Sequence, residues 1–235
     1  MLWKGTVSKM KKFEELPLDM QNDAVRKYYD ILKKKSVSLF FKRLFDIFVS
    51  LTLILLIWFV LLVLAIIIKI DSPGPVFFRQ ERVTRYGRRF RIFKFRTMVN
   101  NADKMGSLVT TKNDSRVTRV GAVIRKTRID ELPQVFNIFL GDMTFVGTRP
   151  EVVKYVDKYT DEMKATLLLP AGVTSEASIC YKDEEKLLEN AQDADTTYVN
   201  EILPEKMKYN LEAIEKFSFF SDIKTMFRTV IAVLK

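Results

Sequence analysis

Ile47–Ile68 is an unbroken apolar run without a charge, a glycine or a proline. At about 1.5 Å per helical residue it is long enough to cross the ~30 Å hydrocarbon core of a bilayer. A helix that is apolar on every face has no place on the surface of a small soluble domain. The run therefore predicts a membrane-inserted helix, with any chemistry of the chain carried out at a lipid surface. It begins well inside the chain and exceeds the apolar region of a cleaved leader, so it reads as an anchor. Ser72-Pro73-Gly74-Pro75 ends it, because two prolines and a glycine cannot continue a helix. Basic residues flank both ends: Lys33, Lys34, Lys35, Lys42 and Arg43 before, Lys69, Arg79, Arg82, Arg85, Arg88 and Arg89 after. The positive-inside tendency puts both flanks on the cytoplasmic side. Uniform apolarity favours a straight span; flank charge favours a helix that enters, bends and returns.

The chain divides into an N-terminal helical extension (1–35), the membrane-inserted helix (36–70) and a domain over 71–235 large enough for a core. Phe13, Leu16, Met20, Val25, Tyr28, Tyr29 and Leu32 give the extension an amphipathic pattern, suited to the membrane or to the main domain. The net charge is +10, from 39 basic and 29 acidic residues. Such a balance attracts nucleic acid, anionic lipid or phosphorylated small molecules, and the membrane segment favours the last two. Histidine is absent. That excludes histidine bases, histidine metal ligands and histidine-activated nucleophiles. A single cysteine excludes an internal disulfide and a cysteine-cluster zinc site; Cys180 reads as a small packed residue.

Val76-Phe77-Phe78 and Phe90–Phe95, separated by the turn signal Tyr86-Gly87, predict a hairpin with a basic edge. Eight Lys or Arg against one acid, Glu81, lie between Arg79 and Arg96. They suit either a headgroup-facing strand pair or a set of arginines on phosphate oxygens. Further on, Pro133 belongs in the first turn of a helix, so a helix is expected to start near Asp130. Asp130 or Glu131 then lies at the positive end of its dipole. Acidic caps are common, but this pair has basic company in Arg119, Arg125, Lys126 and Arg128. The Gly-flanked string from Gly141 to Pro150 follows, offering backbone N–H groups and the Arg149 guanidinium to an anion. One carboxylate of such a pair suits holding Mg²⁺ or attacking phosphorus, and its neighbour suits handling a proton. The C-terminal stretch, with Phe219, Ile223, Met226, Phe227, Val230, Ile231 and Leu234 at helical spacing, predicts an amphipathic helix for the core or the membrane interface.

From about Ser38 onward the chain resembles the bacterial sugar transferases, the monotopic phosphoglycosyl transferases. The likeness lies in Lys42-Arg43-Leu44-Phe45-Asp46, the string from Ser72 to Gln80, Lys94-Phe95-Arg96-Thr97-Met98, the string from Asp130 to Asn137, and Gly141–Glu151. It implies a membrane-associated α+β fold: one re-entrant membrane helix, a small β-hairpin and a mainly helical catalytic domain with amphipathic interfacial helices. It implies transfer of a sugar phosphate from a UDP-sugar to a polyprenyl (undecaprenyl) phosphate, with release of UMP. Asp130 is then the nucleophile that forms a phosphosugar–aspartyl intermediate, Glu131 assists the acceptor or a proton, and Mg²⁺ binds beside Asp130. Lys94 and Arg149 match positions expected near the phosphates; Arg96 and Arg128 join them on charge and nearness in sequence. The implied setting is the bacterial inner membrane, with the catalytic domain on the cytoplasmic face. The implied partners are donor, acceptor and bilayer, without nucleic acid, and a homo-oligomer is left open. Three departures stand out. Trp58-Phe59 occupies the place of a Ser-Pro break, Gly147-Thr148-Arg149-Pro150 that of Gly-Pro-Arg-Pro, and Ser175-Glu176-Ala177-Ser178 that of Gly-Trp-Ala-Gln, so the sugar does not carry over. Two other readings compete: a metal-dependent glycosyltransferase using Asp193-Ala194-Asp195 as a D-x-D site, which would release UDP, and a non-enzymatic basic membrane scaffold.

Overall fold

The computed structural model describes residues 10–102, 114–182, 184 and 193–234. The chain is mostly helical, with one long apolar helix and small two-stranded sheets. Asn22 caps α1 (Asp23–Lys34) by accepting from the Val25 N–H. The buried face of α1, with Val25, Tyr28, Tyr29 and Leu32, packs into the main core. Of the two places open to the extension, the main domain holds it.

α2 runs from Ser36 to Asp71 without interruption across Trp58-Phe59 and stops at Ser72, where the prolines begin. It is long and apolar enough to cross a membrane, and little of its apolar stretch is covered by the rest of the chain. Lipid is the natural solvent for such a surface. Both ends of α2 nevertheless grip one domain. Near its start, Arg43 donates to the Ile138 and Phe139 carbonyls at 2.7 and 2.9 Å. Asp46 accepts from the Thr144 hydroxyl at 2.7 Å and the Phe145 N–H at 3.2 Å. Lys42 donates to the Val146 carbonyl and pairs with Asp222. Toward its end, Leu61 and Ile68 pack with Phe95 and Ile124, and Asp71 accepts from the Val120 N–H.

The expected hairpin forms with one continuous register. β1 (Phe77–Phe78) pairs with β4 (Lys94–Phe95), and β2 (Glu81–Val83) pairs with β3 (Arg89–Arg91), both antiparallel. Tyr86 and Gly87 take positive φ at the turn, the backbone hand that suits strand twist. Much of the basic run is used within the fold. Arg82 donates to the Pro150 carbonyl, Arg85 to the Leu168 carbonyl, and Arg88 pairs with Asp142. Arg79 lies 3.4 Å over the Phe93 ring.

Gly121 lies in α3 (Arg119–Lys126), and α4 (Gln134–Leu140) leads into β5 (Met143–Val146). After α5 (Val153–Val156), β6 (Ala171–Thr174) returns parallel to β5, a pairing without a sequence signal strong enough to expect it. Gly147 and Gly172 let these backbones meet. A Cβ on Gly172 would lie 2.2 Å from the Gly147 nitrogen. The Gly172 N–H donates to the Thr148 carbonyl at 2.8 Å, which fixes the segment just before Arg149. α6 (Glu176–Cys180), α7 (Ala194–Thr197), α8 (Leu203–Glu215) and α9 (Phe219–Leu234) complete the order. Cys180 is exposed rather than packed: it ends α6, whose buried position is taken by Ala177. One flank of α9 docks through Phe219 on Phe45 and Thr229 on Thr174, while Phe220, Phe227, Val230 and Ile231 stay exposed.

Candidate active site

Asp130 and Glu131 do not open a helix. They lie in a 3-10 turn, Ile129–Glu131, upstream of α4. Pro133 has no N–H to return to the Ile129 carbonyl, so i→i+3 bonds replace helical ones here: Glu131 to Arg128 and Leu132 to Ile129. Arg128 enters the turn in the left-handed region, φ 54°. Three residues apart on a 3-10 turn, Ile129 and Leu132 share one side and pack with Phe95, Ile124 and the α2 residues Leu61 and Ile68. That anchoring leaves the two carboxylates between them free to face the strand β4 and the segment after β5.

Three charged side chains converge there. The Lys94 ammonium and the Arg149 guanidinium both donate to Glu131 Oε1, each at 2.7 Å. Lys94 arrives from β4, Arg149 from the segment fixed by the Gly147–Gly172 approach. Glu131 is only 14% exposed. Burial alone would raise its pKa, but Arg149 and Lys94 outweigh burial and hold the carboxyl well below the ordinary range. Such a carboxylate is a weak proton acceptor; its evident physical effect is to keep two cations aligned. Asp130 is the opposite case. Burial pushes its pKa up, while Lys94 and Arg125 pull against the shift and Glu131 adds to it. Among the described residues no other side chain hydrogen-bonds to the Asp130 carboxylate. Two neighbouring acids are thus pushed apart, a pattern typical of sites that divide chemical roles.

The donor chemistry at Asp130 fits a hard cation. The described residues contain no cluster of three or more acidic, cysteine or histidine ligands. Mg²⁺ is commonly held by one or two carboxylates, completing its shell with substrate phosphate oxygens and water.

The other expected members lie elsewhere. Arg96 is 5% exposed and donates to the Ser72 and Pro73 carbonyls at 2.5 and 2.6 Å, clamping the exit of α2. Gly74 makes room for it: a Cβ there would lie 2.2 Å from Arg96 Nη1. Arg128 reaches the Lys182 carbonyl at 3.3 Å. Arg125, in contrast, is close enough to act on Asp130, and its place in the basic run was the signal for it. In the D-x-D string, Asp193 caps α7, and Asp195 accepts from the Tyr155 hydroxyl at 2.6 Å and pairs with Lys154, which leaves no converged metal cradle.

Replacing Glu131 by Gln is expected to lower stability by about 1–3 kcal/mol at pH 7, since two partly buried cations lose their shared anion. The Glu131 pKa is depressed on folding. Its contribution is present above the unfolded pKa and fades as pH falls through the folded one. Denaturant titrations should therefore show the wild-type advantage narrowing below about pH 4. An unchanged midpoint at pH 7 would remove this role.

The sequence profile described as bacterial sugar transferase matches residues 37–235. An Aeromonas hydrophila protein, UDP-N-acetylgalactosamine-undecaprenyl-phosphate N-acetylgalactosaminephosphotransferase, is 38% identical over 198 residues, covering 83% of this chain and 44% of the relative. A Klebsiella pneumoniae UDP-glucose:undecaprenyl-phosphate glucose-1-phosphate transferase is 37% identical over 200 residues, 83% and 40% of the two chains. The uncharacterized sugar transferase EpsL of Bacillus subtilis is 32% identical over 195 residues, 82% and 87% of the two. The chain thus spans less than half the length of the first two relatives and most of the third.

Proposed function

Because the chain belongs to the bacterial sugar transferase family, we propose that it moves a sugar-1-phosphate from a UDP-sugar to undecaprenyl phosphate. The observation that carries this reading is the convergence of Lys94 and Arg149 on Glu131 beside an Asp130 without a side-chain partner. A diphosphate needs cations held at a fixed separation more than it needs a proton shuttle, and a chain without histidine supplies just that.

In this reading an Asp130 oxygen attacks the sugar-proximal phosphorus. The bond to the bridging oxygen breaks, and UMP leaves with the electron pair. A phosphate oxygen of the acceptor then attacks the same phosphorus, forming the polyprenyl diphosphate sugar and returning the Asp130 carboxylate. Lys94 and Arg149 orient the phosphates and hold their negative charge; Glu131 keeps both cations in place when no substrate does. Bound at Asp130, Mg²⁺ would supply further neutralisation of the diphosphate. The test is product analysis with a panel of UDP-sugars. UMP release in amounts stoichiometric with enzyme, without acceptor, is expected. Release of UDP would overturn the reading in favour of direct glycosyl transfer.

We also propose that α2 re-enters the cytoplasmic face. Its support is mechanical. Arg43 and Asp46 at one end and Ile68 and Asp71 at the other hold the same domain, so a straight span would draw that domain into hydrocarbon. The exposed row Phe220, Phe227, Val230 and Ile231 on α9 fits the adjoining interface. Single cysteines placed at Val37 and Ile70 in a Cys180→Ser background are expected to react only from the cytoplasm. External labelling of either would establish a span.

A further inference from the structure

A large cavity of the domain borders the segment just before Arg149. Its volume is about 510 Å³, within the range of small-molecule sites. Gly147 and Thr148 form one wall, α8 a second and α9 a third. Arg149 follows directly, with its guanidinium on Glu131.

The wall has a definite chemistry. Asn210 is 5% exposed, yet the only hydrogen-bond partner of its side chain among the described residues is the Met207 thioether, Nδ2 to Sδ 3.7 Å. Among the described residues no donor reaches its Oδ1. A carboxamide oxygen open on a cavity wall is available to a donor from a ligand. The Thr148 hydroxyl, also on the wall, is likewise without a side-chain hydrogen bond among the described residues. Charges on the wall nearly cancel: Lys42 pairs with Asp222, Lys216 with Glu212 and Arg228 with Glu176, which leaves Lys224 as an unpaired cation among the described residues. The cavity also borders the polar flank of α9, with Ser221, Thr225 and Arg228, and not its apolar row of Phe220, Phe227 and Ile231. Asn210, Thr148 and the unpaired Lys224 give this mixed, largely apolar wall polar contacts for an anionic ligand with an amide-like edge and a flat apolar body.

We infer that this cavity seats the uracil nucleoside of the donor, with Asn210 reading the base. The inference rests on the proposed use of a UDP-sugar. The imide N3–H of uracil donates to Asn210 Oδ1, and an adjacent base carbonyl accepts from Nδ2. Thr148 borders the cavity and precedes Arg149 in the chain, so a diphosphate passing Thr148 would approach the cations around Glu131.

Calorimetric titration of the detergent-solubilised full chain with UDP and with CDP tests this. Wild type is expected to prefer UDP. Asn210→Ala is expected to weaken UDP binding at least tenfold and to erase the preference. Ala213→Trp, at an exposed position of α8 that borders the cavity, fills the space without touching the core and is expected to weaken UDP binding equally. UDP affinity unchanged in both variants, beside normal acceptor-free UMP release, overturns the cavity assignment and leaves the proposed reaction standing. Equal wild-type affinity for UDP and CDP overturns base reading by Asn210. A wild type that neither binds UDP nor releases UMP overturns both.

Discussion

Asp130→Asn is expected to lower turnover by at least about 10³-fold, because a neutral amide cannot attack phosphorus and the adjacent carboxylate is not free to replace it. Glu131 is adjacent but is held ionised by two cations, with Oε1 already accepting from both. The partial reaction distinguishes nucleophile from bystander. With donor alone, the variant should release no UMP, and mass spectrometry should find no phosphosugar adduct on the peptide containing residue 130, whereas wild type shows both. The fold should survive, since the Asp130 side chain hydrogen-bonds to no other side chain among the described residues. An Asp130→Asn protein that releases UMP at the wild-type rate would end the covalent account. The same carboxyl has a pH signature. Burial raises the Asp130 pKa, so in the metal-free protein this carboxyl should titrate above its ordinary value, and Mg²⁺ bound there should pull it back down. Lys94 opposes the upward shift, so Lys94→Met should raise the Asp130 titration of the metal-free protein further, as followed by carboxyl NMR.

Arg149→Met is expected to reduce kcat/KM by about 10²- to 10³-fold, the usual loss when one preorganised donor to a developing anion is removed. Arg149 differs from a surface cation because the β5–β6 glycine contact delivers it to a fixed point, and Glu131 fixes its head. Arg149→Lys should recover little. A lysine offers a compact point charge where the site presents a planar fork. Steady-state kinetics over a range of donor concentrations separates the effects. A change in KM alone would make Arg149 a binding group only, and activity within about threefold of wild type would exclude it from the site.

Several elements were legible from local pattern because local physics settles them. The apolar run made α2 a helix long and apolar enough to cross a membrane whatever its neighbours, and Pro73 and Pro75 follow its end. Tyr86-Gly87 supplied the turn that fixes hairpin register. The acidic pair stands out by its basic company, but its local geometry differs from a helix start: Pro133 breaks the ladder and leaves the pair on a 3-10 turn ahead of the helix. Cys180 was misread for a related reason, since a small apolar-like residue at the end of a short helix faces whichever way the helix docks.

The sequence by itself determined that an uncharged apolar run long enough to cross a membrane lies within one helix, that any catalysis must proceed without imidazole, and that two acids lie within a basic neighbourhood. Only the tertiary structure decided which cations serve them. Lys94 is 37 residues from Glu131 and Arg149 is 18, and their meeting depends on how β4 and the segment after β5 pack around one turn. Arg96 and Arg128 carry the same charge and lie as near in sequence, but backbone carbonyls take them instead. Charge is a property of the residue and is read from a string of letters; convergence depends on distance, and packing across the chain sets that distance.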